Sequence, residues 1–359
     1  MNYVIPRYFL GTNSPEGFFS YYSYLIDLKT ANRVYVLKGG PGTGKSSFMK
    51  HIADNLASEG IPYHLIHCGS DPKSLDGVYF PSIKCAIVDG TAPHVIDPVY
   101  PAAVEEIINL GEYWDAPKIR ENKEMIISLN SEIKTFYAKV CKYLSAAKQI
   151  SSDTYAAAFS FLNIEKLSSY AMGFTDKFFK QKDKKAVITK RIIRNITSSG
   201  IIGFESELAA RAEKVFIIKD LYGLAPILMG EIMSSITAIG YDAEVYYNFQ
   251  APDRDIDALF FPERSIAVIV SNDTSPYDGE YYRCIHIRRF VDMEGLKHYK
   301  IRLRFNAKAT DLIMEEAIES LAQANKIHEK LESYYIPNMN FKEIDKQVDK
   351  YSKLLLQYK

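Results

Sequence analysis

The sequence predicts an α/β fold built from one domain used twice, each copy with a helical hairpin inserted or appended. Three observations predict it. Residues 33–60 read in order as a strand, a glycine-rich loop and an amphipathic helix. The stretch Arg33 to Val88 returns 181 residues later as Lys214 to Ile269. Long runs of apolar residues spaced three and four apart follow the first copy and close the second.

The first strand is Arg33 to Lys38 (RVYVLK), rich in β-branched and aromatic side chains. The loop GGPGTGKSS follows at once. Phe48, Ile52 and Leu56 then recur at i, i+4 and i+8, and the run stops at Gly60, a natural helix C-cap. The loop fits G-x-x-x-x-G-K-[ST] through Gly39, Gly44, Lys45 and Ser46. Its glycines let backbone N–H groups turn inward around phosphates, Lys45 supplies a point charge to the β and γ phosphates, and the Ser46 hydroxyl suits Mg²⁺. Gly39, Gly40, Pro41, Gly42, Thr43, Gly44, Lys45, Ser46 and Ser47 are therefore candidate contacts for a nucleoside triphosphate, expected to be ATP with Mg²⁺.

Such a site needs a carboxylate at the end of a neighbouring strand. Asp89, closing Cys85-Ala86-Ile87-Val88, is the candidate, with Ser46 as the other metal ligand. Gly90 follows where many ATPases of this kind carry a water-activating glutamate, so the pattern argues more strongly for binding than for rapid turnover. The run His64 to Asp71 reads as a strand and polar loop, which brings His67, Ser70, Asp71 and Asp76 to the carboxyl edge of the sheet. Asp71 joins Lys45 and Asp89 as a catalytic candidate. Thr91-Ala92-Pro93-His94 is expected at the same edge.

The second copy keeps the fold and loses the loop. VFIIK at 215–219 matches VYVLK at 34–38, Gly223 matches Gly42, and Pro262 matches Pro81. Where the first copy reads GGPGTGKSS, the second reads Asp220 to Leu228 (DLYGLAPIL), and Val270 replaces Asp89. Asp220 is expected to repel phosphate. Met229, Met233 and Ile236 still read as a helix running to Gly240. Upstream, Arg7 and Gly17 pair with Arg191 and Gly200; downstream, Asp115, Ile119, Arg120 and Lys123 pair with Asp292, Leu296, Lys297 and Lys300. This half is either a partner that regulates or completes the live site or a retained structural half.

The predicted division is 1–186, with a hairpin at about 116–180, and 187–359, with a hairpin at about 308–359. In the first hairpin Ile126, Leu129, Ile133, Phe136, Val140, Tyr143, Ala147 and Ile150 form a seam; in the second, Phe341, Ile344, Val348, Tyr351 and Leu355 do. Packing of each hairpin's own two arms is the default expectation, and a docking arm for a protein partner is the functional one. Arg191, Arg194 and Arg254 are guesses for an arginine donated to the γ-phosphate.

Composition sets limits. Lysine plus arginine equal aspartate plus glutamate at 44 each, so no overall field favours nucleic acid, and the basic run Lys177 to Arg191 reads as a solvated linker. Four dispersed cysteines form no metal-like spacing and suit a reducing compartment. No stretch approaches the ~18 apolar residues of a membrane span. A cytoplasmic location is the expectation.

The loop GGPGTGKSS resembles that of the P-loop NTPase superfamily, ATPase branch. With HCGSDPKSLDGVYFP and VDGTAPHVIDP following it, nearly the whole chain is similar to a bacterial family of tandem P-loop ATPases. The resemblance implies two Rossmann-like P-loop NTPase domains, one with an intact Walker A loop and one degenerate. It assigns phosphate contacts to Gly40 through Ser46 and magnesium contacts to Ser46 and Asp89. The expected function is an ATP-binding, Mg²⁺-dependent ATPase acting as a nucleotide-driven switch. A small-molecule or nucleotide kinase and a non-hydrolysing, nucleotide-dependent interaction protein are the alternatives.

Overall fold

Residues 4–359 are described by a computed structural model. In the first half the strands are β1 (Arg7–Phe9), β2 (Gly11–Ser14), β3 (Gly17–Ser20), β4 (Arg33–Lys38), β5 (His64–His67), β6 (Leu75–Phe80), β7 (Cys85–Asp89) and β8 (Glu105–Asn109). In the second they are β9 (Ile188–Ile192), β10 (Arg194–Thr197), β11 (Gly200–Gly203), β12 (Lys214–Lys219), β13 (Ala243–Tyr247), β14 (Ile256–Phe261), β15 (Ile266–Ser271) and β16 (Arg283–His286). The helices of ten or more residues among those described are α1 (Lys45–Ser58), α2 (Lys123–Phe159), α3 (Ile164–Phe178), α4 (Ala225–Ala238), α5 (Lys300–Glu332) and α6 (Phe341–Leu356).

Twelve strands join in one mixed sheet in the order β16-β12-β15-β14-β13-β9-β1-β5-β6-β7-β4-β8. Read outward from the middle, the two halves carry equivalent strands in the same order. β4 lies parallel between β7 and β8, as β12 does between β15 and β16, while β6 and β14 each run against both neighbours. The halves meet where β1 and β9 pair antiparallel at Phe9 and Ile192. Equivalent strands meeting antiparallel relate the two halves by an approximate two-fold axis.

The repetition extends to irregular positions. Gly42 and Gly223 adopt φ of 67° and 75°, and Gly60 and Gly240, just past the ends of α1 and α4, adopt 78° and 90°. Glycine reaches these left-handed conformations without the steric cost that a Cβ imposes. The paired residues Asp115 and Asp292 both cap short helices with their side chains, and both long helices α2 and α5 begin within ten residues of them.

Helix packing departs from the expectation that each hairpin closes on itself. The α2 seam residues Val140 and Ala147, with Leu144 buried beside them where the spacing points to the partly buried Tyr143, pack against Met314, Ala317 and Leu321 of α5. Ile126, Leu129 and Ile133 gather around Leu331 at the other end, so α2 and α5 run antiparallel along each other. The shorter arms cross over. α3, from the first half, packs on α4 of the second; α6, from the second half, packs on α1 of the first through Ile344, Val348, Tyr351 and Leu355. An apolar stripe at 3,4 spacing fixes which face is buried but not against which helix. No helix among the described residues is long and apolar enough to cross a membrane.

Candidate functional site

The glycine loop leaves the C-terminal end of β4 and enters α1, whose N-cap, Gly44, takes a φ of 82°. Thr43 is buried and its hydroxyl donates to the Gly40 carbonyl at 2.9 Å. A Cβ on Gly39 would lie 2.7 Å from the Thr43 hydroxyl oxygen, so the loop closes this tightly only with glycine there. Lys45 folds back over the loop, its ammonium donating to the carbonyls of Gly39 and Gly40 at 3.1 Å each. Pro41 is partly exposed and Ser47 exposed, on the outer side of the turn.

The parallel register of β4 and β7 sets Leu37 level with Asp89, so this carboxylate stands beside the start of the loop. Its Oδ2 is 3.6 Å from the Lys45 ammonium. Its Oδ1 accepts from the Thr91 N–H at 2.8 Å and the Thr91 hydroxyl at 2.6 Å. The Ser46 hydroxyl oxygen accepts from the Leu75 N–H at 3.0 Å. Ser46 Oγ and Asp89 Oδ2 are hard oxygen donors beside the glycine loop, the donor type that Mg²⁺ takes. The residues present fit that ion.

Because β6 runs against β7 with Gly77 opposite Val88, it brings Asp76 to the same edge as Asp89. Tyr22 donates its hydroxyl to Asp76 Oδ2 at 3.1 Å. Burial pushes the Asp76 carboxyl up, with the Asp89 charge adding to the rise and His94 opposing it. His94 arrives from the loop after β7, which Lys38 pins by donating to the carbonyls of Gly90 and Ile96 at 2.9 and 2.8 Å. Asp76, Asp89 and His94 each bring a ligand atom within 4.8 Å of the others.

Asp71 is engaged within its own turn. Its carboxylate accepts from the Ser74 hydroxyl at 2.7 Å and the Lys73 N–H at 3.1 Å, closing its own turn. The His67 ring contacts the Pro72 carbonyl at 2.7 Å, and Ser70 receives the Asn13 amide at 3.2 Å. The arginines are likewise committed within the second half. Arg191 pairs with Glu244 at 2.7 Å, Arg194 with Glu205, and Arg254 with Asp255 at 2.8 Å.

The structure adds a cover that motif reading missed. The turn between α5 and α6 lies on the loop: the Gly42 N–H donates to Glu332 Oε1 at 3.1 Å. A Cβ on Gly42 would come within 2.8 Å of Ile336, one on Gly40 within 3.3 Å of both Trp114 and Tyr335, and one on Gly44 within 3.4 Å of Phe341. The His328 ring, its Nε2 3.7 Å from Glu332 Oε1, holds the Glu332 carboxyl below its ordinary value, with the Lys45 charge contributing less. The lone tryptophan next to the paired cap Asp115 is the one sequence signal for this cover. The rest is long-range packing with no local pattern.

In the equivalent loop of the second half, Asp220 is buried and accepts from the N–H groups of Tyr222 at 2.9 Å and Ala225 at 2.6 Å. Burial raises its pKa, opposed by these amides and by the nearby Gly223 and Leu224 backbone. The carboxylate sits where the loop turns its amides inward. Comparisons with protein-family models, with curated proteins and with solved structures find no match to this chain.

Proposed function

We propose that the chain is an ATP-binding, Mg²⁺-dependent ATPase working as a nucleotide-driven switch, with one phosphate-binding P-loop domain and one degenerate copy. The observation that carries this is the loop Gly39–Ser46 at the end of β4, with Lys45 and Ser46 at the start of α1 and Asp89 level with Leu37 on the adjacent strand. In the resting arrangement Lys45 is held by two loop carbonyls and by Asp89. A triphosphate offers that ammonium a stronger, fully charged partner, so binding transfers Lys45 from backbone to phosphate. The loop amides and the N-terminus of α1 then hold the β-phosphate by charge and geometry. Ser46 and Asp89 would hold Mg²⁺, which would neutralise the charge that develops on the phosphate oxygens.

The covering turn supports the switch: Glu332, which sits on the loop, is the last residue of the long helix α5, so filling the loop is felt at the end of that helix. ATP binding and phosphate release by the full chain, compared with Lys45→Ala, test the reading. Wild type should bind ATP, and the variant should lose at least about tenfold in affinity, as expected for removing a charge-assisted contact. Indistinguishable behaviour of the two overturns it. One second reading, a non-hydrolysing interaction protein, is favoured by Gly90 following Asp89 and by Thr91 occupying Asp89 Oδ1. Tight ATP binding without phosphate release selects it.

A further inference from the structure

His94 is 8 % exposed, and neither of its ring nitrogens has a hydrogen-bond partner. An imidazole buried this way costs free energy unless something meets its nitrogens. The ring is packed between Tyr22, stacked at 5.0 Å, and Phe18 at 5.9 Å, so its orientation is fixed. Its Nε2 faces Asp76 Oδ1 at 4.0 Å, while Tyr22 holds the other oxygen of that carboxylate. Thr91 holds Asp89 Oδ1 in the same manner. Two oriented carboxylates and one oriented imidazole, each secured from behind, form the arrangement of a metal site with its outer contacts already made.

The second half provides an internal comparison. Gly77 opposes Val88 and Ala258 opposes Ile269, so Asp257 occupies the register position of Asp76. There Val270 stands in place of Asp89 and Ser275 in place of His94. The cation is supplied by the protein: the Arg194 guanidinium lies 3.9 Å from Asp257 and donates to the Val270 carbonyl. In the first half Gly11 takes the register position of Arg194, opposite Ser20 as Arg194 is opposite Gly203. That half therefore adds a second acid and a histidine to the site and removes the arginine.

We propose that Asp76, Asp89 and His94 bind one divalent transition-metal ion, of the manganese, cobalt or zinc kind. The proposal rests on the nucleotide reading only in sharing Asp89. A metal with bonds of about 2.0–2.2 Å needs its ligands roughly 3–4 Å apart, and these three sets lie within 4.8 Å of one another, so small side-chain shifts close the site. Magnesium prefers oxygen and retains water, whereas an imidazole beside two carboxylates favours the later ions. Lys45, 3.6 Å from Asp89, opposes the metal while it rests there and releases Asp89 when drawn away.

Mn²⁺, Co²⁺ and Mg²⁺ are titrated separately into the chelator-treated full chain without nucleotide, by calorimetry and, for Co²⁺, by its visible spectrum. One Mn²⁺ or Co²⁺ per chain should bind more tightly than Mg²⁺. His94→Phe keeps the aromatic stack and removes the ligand; together with Asp76→Asn it should weaken binding by more than about 100-fold. Lys45→Ala should bind Co²⁺ at least as tightly as wild type. Equal Mn²⁺ affinity in wild type and a folded His94→Phe protein overturns the site, as does Mg²⁺ binding as tightly as Mn²⁺. A chain that takes Co²⁺ but no ATP overturns the nucleotide reading alone. One that takes ATP but no Mn²⁺ or Co²⁺ overturns this proposal alone.

Discussion

His64 and His67 lie on β5, next to the join between the two halves, and the Tyr8 hydroxyl lies 3.4 Å from His64 Nδ1. Burial, with the Arg191 charge adding to it, lowers the His64 pKa from 6.5 to about 3; burial also lowers that of His67 to about 4. Below about pH 6.5 the unfolded chain takes up protons on these rings that the folded chain refuses. Their contribution is therefore complete above 6.5 and falls as pH drops toward 4 and 3, by up to about 1.4 kcal/mol per pH unit for each ring. Glu244, pulled down to about 2 by Arg191 and Arg211 against its burial, is lost only below about 4.5. Urea midpoints at pH 7.5 and 5.0 should fall with acid, and His64→Gln should flatten the difference; an equally steep dependence in that variant would count against burial as its cause. Asp220 makes a second residue-level prediction. Asp220→Ala leaves the buried amides of Tyr222 and Ala225 without an acceptor and should cost about 1–3 kcal/mol in stability, read as a lower melting temperature with ATP affinity unchanged. An unchanged melting temperature argues against the filled loop. That an acid stands at the first position of this loop is legible in the sequence. That its own amides satisfy it is not, because those bonds depend on how the backbone turns.

At the scale of elements, sequence pattern identifies strands and helices well where a local rule governs them. β4, α1 and β7 fall where RVYVLK, the 3,4 spacing to Gly60 and the apolar run to Asp89 require. It also places Asp76 and His94 at the edge of the sheet, though only the antiparallel course of β6 and the pinned loop after β7 make them neighbours of Asp89. The turn between α5 and α6 is different in kind, since nothing local in residues 332–341 points to a loop nearly 300 positions earlier. Its leading contact is the Glu332 carboxylate on the Gly42 N–H. In a phosphate loop that amide serves an incoming anion, so under the proposed function Glu332 would compete for it and add a like charge. Replacing the residue should remove the competition: Glu332→Ala should bind ATP about tenfold more tightly, matching the ~1.5 kcal/mol of one hydrogen bond to a charged group. Equilibrium titration of both proteins decides it, and equal or weaker binding by the variant shows that the turn does not compete with nucleotide.

At the scale of the whole molecule, the repeat in sequence and the units of packing do not coincide. A duplication with an offset near 181 residues suggests a cut close to residue 187, and the strand order agrees with that cut. The helices cross it. α6 from the second half buries Ile344, Val348, Tyr351 and Leu355 against Phe48, Met49, Ile52 and Leu56 of α1 in the first. α3 returns the exchange, seating Leu167, Ala171 and Phe174 in the core that includes Leu228, Met229 and Ile232 of α4. Each fully buried apolar side chain contributes roughly 1.5–3 kcal/mol, so four on α6 alone rival the ~5–15 kcal/mol by which a domain is stable. Fragment 1–186 would keep α1 and lose its cover, and fragment 187–359 would do the same for α4. Each half would also expose one face of the antiparallel α2–α5 pair, and its β1 or β9 strand would become an open sheet edge. The expected outcome is that either fragment expressed alone aggregates or remains unfolded, while the two expressed together associate into a one-to-one complex with the secondary structure of the intact chain. Size-exclusion chromatography and circular dichroism of the single and paired fragments measure this directly. A cooperative thermal transition in either fragment by itself would mean that the exchanged helices are dispensable. The coupling between the halves would then reside in the sheet and the α2–α5 pair.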